Sequence, residues 1–399
     1  MELPEGLDSL FVVVLVAALA PLLVGLLPGP RIPEVVVLLV LGVVVGPHVM
    51  DIANTGPEIS LIANVGLGFL FFLAGFELDL SVLRGAEGRA AGIAWVASIV
   101  AAMAIVGALA AVGFVHAFLP VSIALTTTAL GTLLPMLRDS GETTGPFGRA
   151  ILANGAAGEF LPIIAISLFL SAKGAWQSLA LLAAFGALAV VVSMASRHLK
   201  GRSVADLVRL GSETSSQTAV RVAVVLLVAL LLLAGELGLD VVLGAFAAGI
   251  VLRVTLPDGD EALERKLDGL AFGFFVPAFF VVSGMQVDLP SILDSPARLF
   301  VFLGLILVVR GLPVLLTFRS RLPGRDPVRL GLLSATGLPL IVAITGIGLA
   351  TGEMLPENAA ALVGAGLLSV LIFPMLARAL ERRPGTDSPA PPALAEEAA

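Results

Sequence analysis

Long runs of apolar residues, separated by short segments with Gly, Pro and charged residues, dominate the sequence. A helix needs about 20 mostly apolar residues to cross the hydrocarbon core of a bilayer, so each run predicts a membrane-spanning helix. The pattern therefore predicts an all-α, multi-pass membrane protein with about 13 transmembrane helices. These helices are expected at residues 9–27, 33–50, 59–77, 90–114, 119–137, 149–171, 176–195, 218–236, 239–254, 266–287, 298–318, 328–350 and 358–379.

The basic residues between the runs indicate the orientation of the chain. Cytoplasmic loops of membrane proteins collect Lys and Arg. With the N-terminus outside, all but three of the 23 Lys and Arg residues fall in segments that would be cytoplasmic. Lys173 and Arg298 would lie outside, and Arg310 falls inside a predicted helix. We therefore expect a protein of the cell membrane with its N-terminus outside and its C-terminus in the cytoplasm.

A long basic segment at 196–217 divides the chain into two units of six predicted helices, with one linker helix between them. Because a single helix separates the units, they cross the membrane in opposite senses. Inverted repeats of this kind are the architecture of many secondary transporters. The expected domains are a first repeat with the linker helix at 1–195, a cytoplasmic loop at 196–217, a second repeat at 218–380 and a disordered cytoplasmic tail at 381–399.

The fifth helix of each unit carries residues that weaken a helix at membrane depth. Predicted helix 5 contains the hydroxyl run Thr126–Thr128, followed by Gly131 and Pro135, and predicted helix 12 contains Ser334–Pro339. Small and hydroxyl residues also mediate tight helix packing, so either segment alone is open to that interpretation. The matching positions in the two units favour broken helices that cross near the middle of the membrane.

Composition narrows the class of protein further. Hydrophobic residues make up 58% of the 399 residues and charged residues 13%, which excludes an ordinary soluble protein, a disordered chain and a nucleic-acid binder. The chain has no cysteine, so disulfides, iron–sulfur clusters and a thiol nucleophile are excluded. The three histidines lie at the edges of apolar runs, which argues against haem. We expect neither a cofactor nor an enzyme, since the sequence shows no intramembrane catalytic pair.

Two ionisable side chains fall deep inside predicted helices. Glu159 lies in the middle of helix 6, and Arg310 lies well inside helix 11. A charge in hydrocarbon costs roughly 2.5–3.5 kcal/mol or more, so each such residue marks a candidate functional site. Other acidic residues near the runs, such as Asp288, lie at helix ends, where we expect them to cap a helix or face the interface.

Glu159 is the candidate for binding the transported ion. A desolvated carboxyl binds a proton more tightly, whereas a nearby cation weakens that binding, so one carboxylate can exchange a proton for a metal ion. If the site never faces both sides of the membrane at once, this exchange couples two fluxes. Asn154, on the same helix, and Thr127 and Thr128 of helix 5 are the expected neutral oxygen ligands and supporting residues.

Three roles remain open for Arg310. It lies some eight residues from the cytoplasmic end of its helix, which is deep for a side chain that reaches to the interface. It could act as a structural counter-charge to Glu159 or to the negative ends of the broken helices. A direct role in transport is the third possibility.

Four motifs lie in order along the chain: Pro33–Pro47, Phe71–Asp79, Leu243–Gly249 and Phe279–Asp288. In this order and spacing they resemble the membrane domain of the monovalent cation/proton antiporter superfamily, in particular its bacterial sodium/proton exchanger and potassium-efflux branches. The resemblance implies a homodimer with scaffold helices and a mobile core domain that alternates in an elevator-like manner. It also implies that helices 5 and 12 are the crossing broken helices.

The same resemblance places the cation-binding acid of the family at Glu159 and its core Lys or Arg at Arg310. Family members usually carry Asp at the essential position, preceded by Asp or Asn, whereas this chain has Gly158 and Glu159. A single carboxylate with an Arg resembles the electroneutral members of the family. The longer Glu side chain leaves the choice between Na⁺ and K⁺ open.

These observations predict a secondary active antiporter for pH homeostasis that exchanges a monovalent cation, Na⁺ or K⁺, for protons. Exchange is expected to be electroneutral and to occur by alternating access to the core carboxylate. One alternative is a K⁺ efflux system controlled by a separate regulator. Another is a sodium-coupled organic solute symporter, which would use sodium sites built from several polar residues, so that Glu159 argues against it.

Overall fold

The structure of the chain is a computed structural model, and every element of regular structure in its described residues is helical. The predicted helix at 176–195, the loop at 196–217 and the tail at 381–399 lie wholly or largely outside these residues. The described residues are 6–26, 33–77, 84–130, 133, 137, 141–142, 144–169, 176–177, 180, 183–184, 187, 217–236, 241–255 and 261–380.

Sixteen α-helices are bounded within this part of the chain, and two of the junctions between them are π-helical turns. The first six helices are α1 (Leu7–Leu26), α2 (Glu34–Val45), α3 (Pro57–Glu77), α4 (Ala86–Ala111), α5 (Phe118–Ala124) and α6 (Gly145–Phe169). The next five are α7 (Thr218–Glu236), α8 (Val241–Thr255), α9 (Glu261–Leu270), α10 (Val276–Met285) and α11 (Leu289–Asp294). The last five are α12 (Pro296–Ile306), α13 (Leu312–Phe318), α14 (Asp326–Ser334), α15 (Leu338–Ala350) and α16 (Pro356–Ala379).

Nine helical segments of the described residues are long and apolar enough to cross a membrane. Two shorter apolar helices, α2 and α8, add to them. The expectation of an all-α, multi-pass membrane protein is confirmed, while the count of 13 helices stays a prediction. The side chains of α1 that point away from the protein are apolar, with Phe11 66% and Leu22 62% exposed, as expected for a helix that faces lipid.

Two π-helical turns join helices end to end without breaking the segment. Ala271–Phe275 joins α9 to α10, and Leu307–Gly311 joins α12 to α13. Turns of this kind hold one residue more than an α-helical turn and occur frequently at functional sites. The second turn carries Arg310, which links this local irregularity to the candidate site.

The described helices pack as two bundles. In the first bundle, α3 packs on α8 and α10, and α2 packs on α10. In the second bundle, α4 packs on α6 and α13, while α12, α14 and α15 pack on α16. Contacts between the bundles are sparser in this part of the chain and include those of α6 with α8 and of α2 with α16. The first bundle contains α1–α3 and α7–α10, and the second contains α4–α6 and α11–α16.

Small residues bring the helices of the first bundle together. Gly75 on α3 lies against the carbonyl oxygen of Phe246 on α8, and Gly249 on α8 lies against that of Phe72 on α3. A Cβ atom at either glycine would collide with the opposing backbone. Without a hydrophobic drive between helices in lipid, this close backbone contact provides the van der Waals attraction that holds α3 and α8 together.

Two helical segments of the second bundle are interrupted at the positions that the sequence singles out. The helix α5 ends at Ala124, the chain is not helical from 125 to 129, and Leu130 is helical again. The helix α14 ends at Ser334, and α15 begins at Leu338. In the first interruption, the hydroxyl of Thr126 donates to the carbonyl oxygen of Ile123 at 2.7 Å, one of the bonds by which hydroxyl residues replace helical backbone bonds.

Candidate functional site

The two interruptions lie against each other. We call them the first break (125–129) and the second break (335–337). Each supplies hydrogen-bond donors or acceptors that the other needs, because neither segment continues its helical bonds there. The bonds run from the backbone N–H of Ala129 to the carbonyl of Thr336, from the hydroxyl of Thr127 to the carbonyl of Gly337 at 3.3 Å, and from the hydroxyl of Thr128 to the carbonyl of Ser334 at 2.6 Å.

Thr128 also connects the breaks to α6 and to the second π-helical turn. Its backbone N–H donates to the carbonyl of Gly158 on α6 at 3.0 Å. Its hydroxyl oxygen accepts a hydrogen bond from Nε of Arg310 at 2.9 Å. A single threonine therefore touches the end of α14 beside the second break, the helix that carries Glu159 and the buried arginine.

Arg310 is fully buried, with 0% of its surface exposed. Besides its bond to Thr128, a terminal guanidinium nitrogen donates to the backbone carbonyl of Asn154 on α6 at 2.8 Å. The other terminal nitrogen has no hydrogen-bond partner among the described residues. Arg310 therefore lies against the first break and against α6. Its positive charge lies beside the helix that carries the candidate acid.

Gly158, which precedes the candidate acid, leaves room for the guanidinium group. A Cβ atom at this position would lie 2.7 Å from a terminal nitrogen of Arg310 and would collide with the hydroxyl of Thr128. Gly158, where the resemblance leads us to expect Asp or Asn, is thus the residue that fits beside Arg310 and Thr128. Arginine and threonine fill the space that a side chain at position 158 would need.

Glu159 follows directly on α6 and is partly exposed in the bundle. Its neighbour Phe160 stacks on Phe246 of α8, with 5.5 Å between ring centroids. Phe160 belongs to the second bundle and Phe246 to the first, so the residue next to Glu159 makes a contact between the two bundles. Along α6, Glu159 therefore lies between Gly158, which faces Arg310, and Phe160, which lies at the boundary of the bundles.

The expected neutral ligands have different surroundings. The hydroxyl of Thr127 donates to the carbonyl of Ala124 at 2.8 Å, so Thr127 and Thr128 are engaged mainly in holding the breaks. The side-chain amide of Asn154 donates to the carbonyl of Ala150 at 2.9 Å. The amide oxygen of Asn154 is buried and accepts no hydrogen bond within the described part of the chain. Of the predicted neutral ligands, Asn154 is thus the one whose buried oxygen is available to bind a cation.

The sequence pattern brings Glu159, Asn154 and Arg310 to one region, but the sequence gives no indication of two contacts there. The exclusion of a side chain at position 158 depends on Arg310, which is distant along the chain. The stacking of Phe160 on Phe246 involves apolar residues in apolar helices, which no pattern distinguishes from ordinary packing. No group of three His, Asp or Glu side chains that could hold a resident metal occurs among the described residues.

Comparison with known proteins agrees with this architecture. A family model described as sodium/hydrogen exchanger, transmembrane, matches residues 14–380. The chain is 24% identical over 397 residues to YjbQ of Bacillus subtilis (strain 168), provisionally named a Na⁺/H⁺ antiporter, covering 94% of this chain and 63% of that protein. It is 26% identical over 361 residues to GerN of Bacillus cereus, named a Na⁺/H⁺-K⁺ antiporter, covering 86% and 88% of the two chains.

A solved structure shows the same fold. The sodium proton antiporter MjNhaP1 from Methanocaldococcus jannaschii superimposes with a TM-score of 0.65 at 19% identity, over 94% of this chain and 99% of that one. This chain spans less than two thirds of the length of YjbQ. The family model matches most of this chain. The breaks, the buried arginine and the apolar helices therefore occur in a chain that belongs to the transmembrane sodium/hydrogen exchanger family.

Proposed function

We propose that the protein is a secondary active antiporter that exchanges a monovalent cation, Na⁺ or K⁺, for protons, with Glu159 as the shared binding group. The observation that carries this proposal is the position of Glu159, one residue from Gly158, where α6 meets Arg310 and the crossing breaks. Membership of the exchanger family supports it, as does the naming of YjbQ and GerN as antiporters of Na⁺ and protons.

Competition for one carboxylate couples the two ions. When Glu159 is ionised it attracts a cation, for which the buried amide oxygen of Asn154 is a candidate neutral ligand. When Glu159 is protonated the electrostatic attraction is lost and the cation leaves. The guanidinium group of Arg310 holds a fixed positive charge beside α6, where it donates to the carbonyl of Asn154. Either ion can cross, but not both together.

Movement of one bundle against the other would give alternating access. The second bundle holds the breaks, Arg310 and Glu159, whereas the first bundle is joined internally by the glycine contacts of α3 and α8. The sparse contact of α6 with α8 is where the bundles would slide. In this proposal the second bundle is the moving carrier of an elevator, and the first is the scaffold of a homodimer.

The finer organisation follows the sequence-based expectations. We propose 13 membrane helices in two inverted repeats, with the N-terminus outside and the C-terminus in the cytoplasm. Exchange of one cation for one proton is expected because a single carboxylate carries either ion and Arg310 keeps its charge in both states. The rate should then be independent of an imposed membrane potential.

The deciding experiment measures cation-dependent proton release from acid-loaded everted vesicles, on adding Na⁺, K⁺ or Li⁺. Wild type should collapse the pH gradient with one or more of these cations, and Glu159→Gln should not, because a neutral amide cannot alternate between proton and cation. Glu353→Gln, which alters an exposed carboxylate between α15 and α16, is the matched control and should exchange like wild type. Full cation-dependent exchange by Glu159→Gln would show that the site is elsewhere.

A further inference from the structure

A second buried arginine lies away from the breaks, at the other end of α14. Arg329 is 6% exposed, although the positive-inside pattern predicts it to lie near the cytoplasmic boundary. A charge that is withdrawn from water so near the membrane surface is costly unless several groups compensate it. The groups that contact Arg329 therefore show how its buried charge is compensated.

Arg329 contacts several separate groups. One terminal nitrogen pairs with the carboxylate of Glu142 at 2.5 Å, and the other pairs with Asp326 at 3.3 Å. Its Nε donates to the carbonyl of Ala377, near the end of α16, at 3.3 Å. The guanidinium group also lies over the ring of Phe147 in the first turn of α6, 4.7 Å from the centroid.

These contacts join parts of the second bundle that are distant along the chain. Glu142 lies between the first break and α6, whereas Arg329 lies on α14, which leads into the second break. The pair therefore connects Glu142, which precedes α6, to the helix that leads into the second break, at the predicted cytoplasmic end of the bundle. A planar guanidinium group that donates to a carboxylate, a second carboxylate and a backbone carbonyl fixes orientation as well as distance.

We propose that Arg329 and Glu142 form a permanent joint that keeps the two interrupted segments together as one moving body throughout the transport cycle. This inference rests on the proposed elevator movement of the second bundle. Arg329 is a positioning residue, since it lies apart from the residues assigned to ion binding. The joint transmits movement of α14 to the segment before α6, so that both breaks reach either side of the membrane in register.

The chain has no cysteine, so a thiol cross-link can test the joint directly. The double variant Glu142→Cys with Arg329→Cys loses both charges, which avoids leaving one charge buried alone. We expect it to exchange roughly tenfold more slowly than wild type, equivalent to about 1.4 kcal/mol in activation free energy. The apparent KM for the cation should be unchanged, because the ion site is intact. A bifunctional thiol reagent that spans the distance of an Arg–Glu pair should then restore the rate.

Three results would overturn the joint. Cross-linking could stop exchange, which would mean that the pair must open during transport. The untreated double variant could match wild type in rate, so that the contact would have no role. Cross-linking could also restore the thermal stability of the purified protein but not its rate, which would indicate a structural role only. Each single-cysteine variant treated with the reagent is the control, and a lack of exchange by wild type would instead contradict the proposed function.

Discussion

Thr128 makes three hydrogen bonds at the site. Its hydroxyl accepts from Arg310 and donates to Ser334, and its N–H donates to Gly158. Because a hydroxyl can donate and accept at the same time, Thr128 forms hydrogen bonds with both the buried guanidinium group of Arg310 and the carbonyl at the end of α14. Removing the hydroxyl would leave both groups without this partner in an apolar medium.

We therefore predict that Thr128→Val lowers the free energy of unfolding by about 2 kcal/mol, since hydrogen bonds to charged groups contribute about 1.5–3 kcal/mol. The cation exchange rate should fall as well, because Arg310 loses a fixed orientation. Thr128→Ser keeps the hydroxyl and should stay close to wild type in both respects. Thermal unfolding of the detergent-solubilised protein and vesicle exchange measure the two effects. Equal behaviour of the valine and serine variants would contradict this role.

Predictability differs among the charged residues of the second bundle. Glu159 and Arg310 could be found because a charge stands out in an apolar run, and each is costly there. Arg329 could not, because a basic residue at the edge of a run is typical of a solvent-exposed loop. Its burial depends on Glu142 and Phe147, which come to it only through the packing of α14 on α6.

Among the elements, the short helix α11 begins with the side chain that the sequence suggested as a cap. Asp288 accepts hydrogen bonds from the backbone N–H of Ser291 at 3.1 Å and from its hydroxyl. The hydroxyl bond, the backbone bond and, to a smaller extent, the charge of His48 lower the pKa of the Asp288 carboxyl below its ordinary value of 3.8. A carboxylate that is ionised more easily in the folded state stabilises the fold above pH 3.8.

This cap gives a prediction with a defined pH dependence. Asp288→Ala should lower the free energy of unfolding by about 1 kcal/mol at neutral pH, as is typical for a lost N-cap. The difference from wild type should shrink once the pH falls below 3.8 and through the lowered pKa, because protonation removes the same carboxylate. Asp288→Asn retains a neutral acceptor and is the control. Thermal unfolding at a series of pH values measures this, and a difference that grows on acidification would contradict it.

Most element boundaries could be predicted to within a few residues because hydropathy changes sharply at the membrane edge. The expected spans at 59–77 and 218–236 correspond to Pro57–Glu77 and Thr218–Glu236. The interruptions could be predicted because hydroxyl residues, Gly and Pro all weaken helices. The π-helical turns could not, since one additional apolar residue in an apolar helix leaves the hydropathy pattern unchanged.

On the scale of the whole molecule, the two bundles could not be derived from the sequence. Both are built from equally apolar helices, and what separates them is the distribution of close contacts, such as Gly249 against α3. The position of the site relative to the bundles depends on that distribution. Phe160 and Phe246 mark the boundary nearest to Glu159.

If the second bundle moves as a carrier, the contact of Phe160 with Phe246 has to open in every cycle. We predict that linking Phe160→Cys to Phe246→Cys with a thiol reagent stops exchange, and that reduction of the link restores it to the rate of the untreated double variant. This is the opposite of the result expected for the pair at positions 142 and 329, so the two experiments control each other. Exchange that continues at the same rate with the link in place would exclude relative movement at this boundary.

The π-helical turn Leu307–Gly311 has a consequence for the rotational phase of its segment. Each residue of an α-helix advances by about 100° around the axis, and a π-helical turn takes up one extra residue so that the helices on both sides keep their phase. The direction in which Arg310 points therefore depends on the number of residues between Pro296 and Phe318. A scan of point substitutions leaves this number unchanged, whereas deleting another residue of the turn would remove the bulge that holds Arg310 while α12 and α13 keep their relative phase.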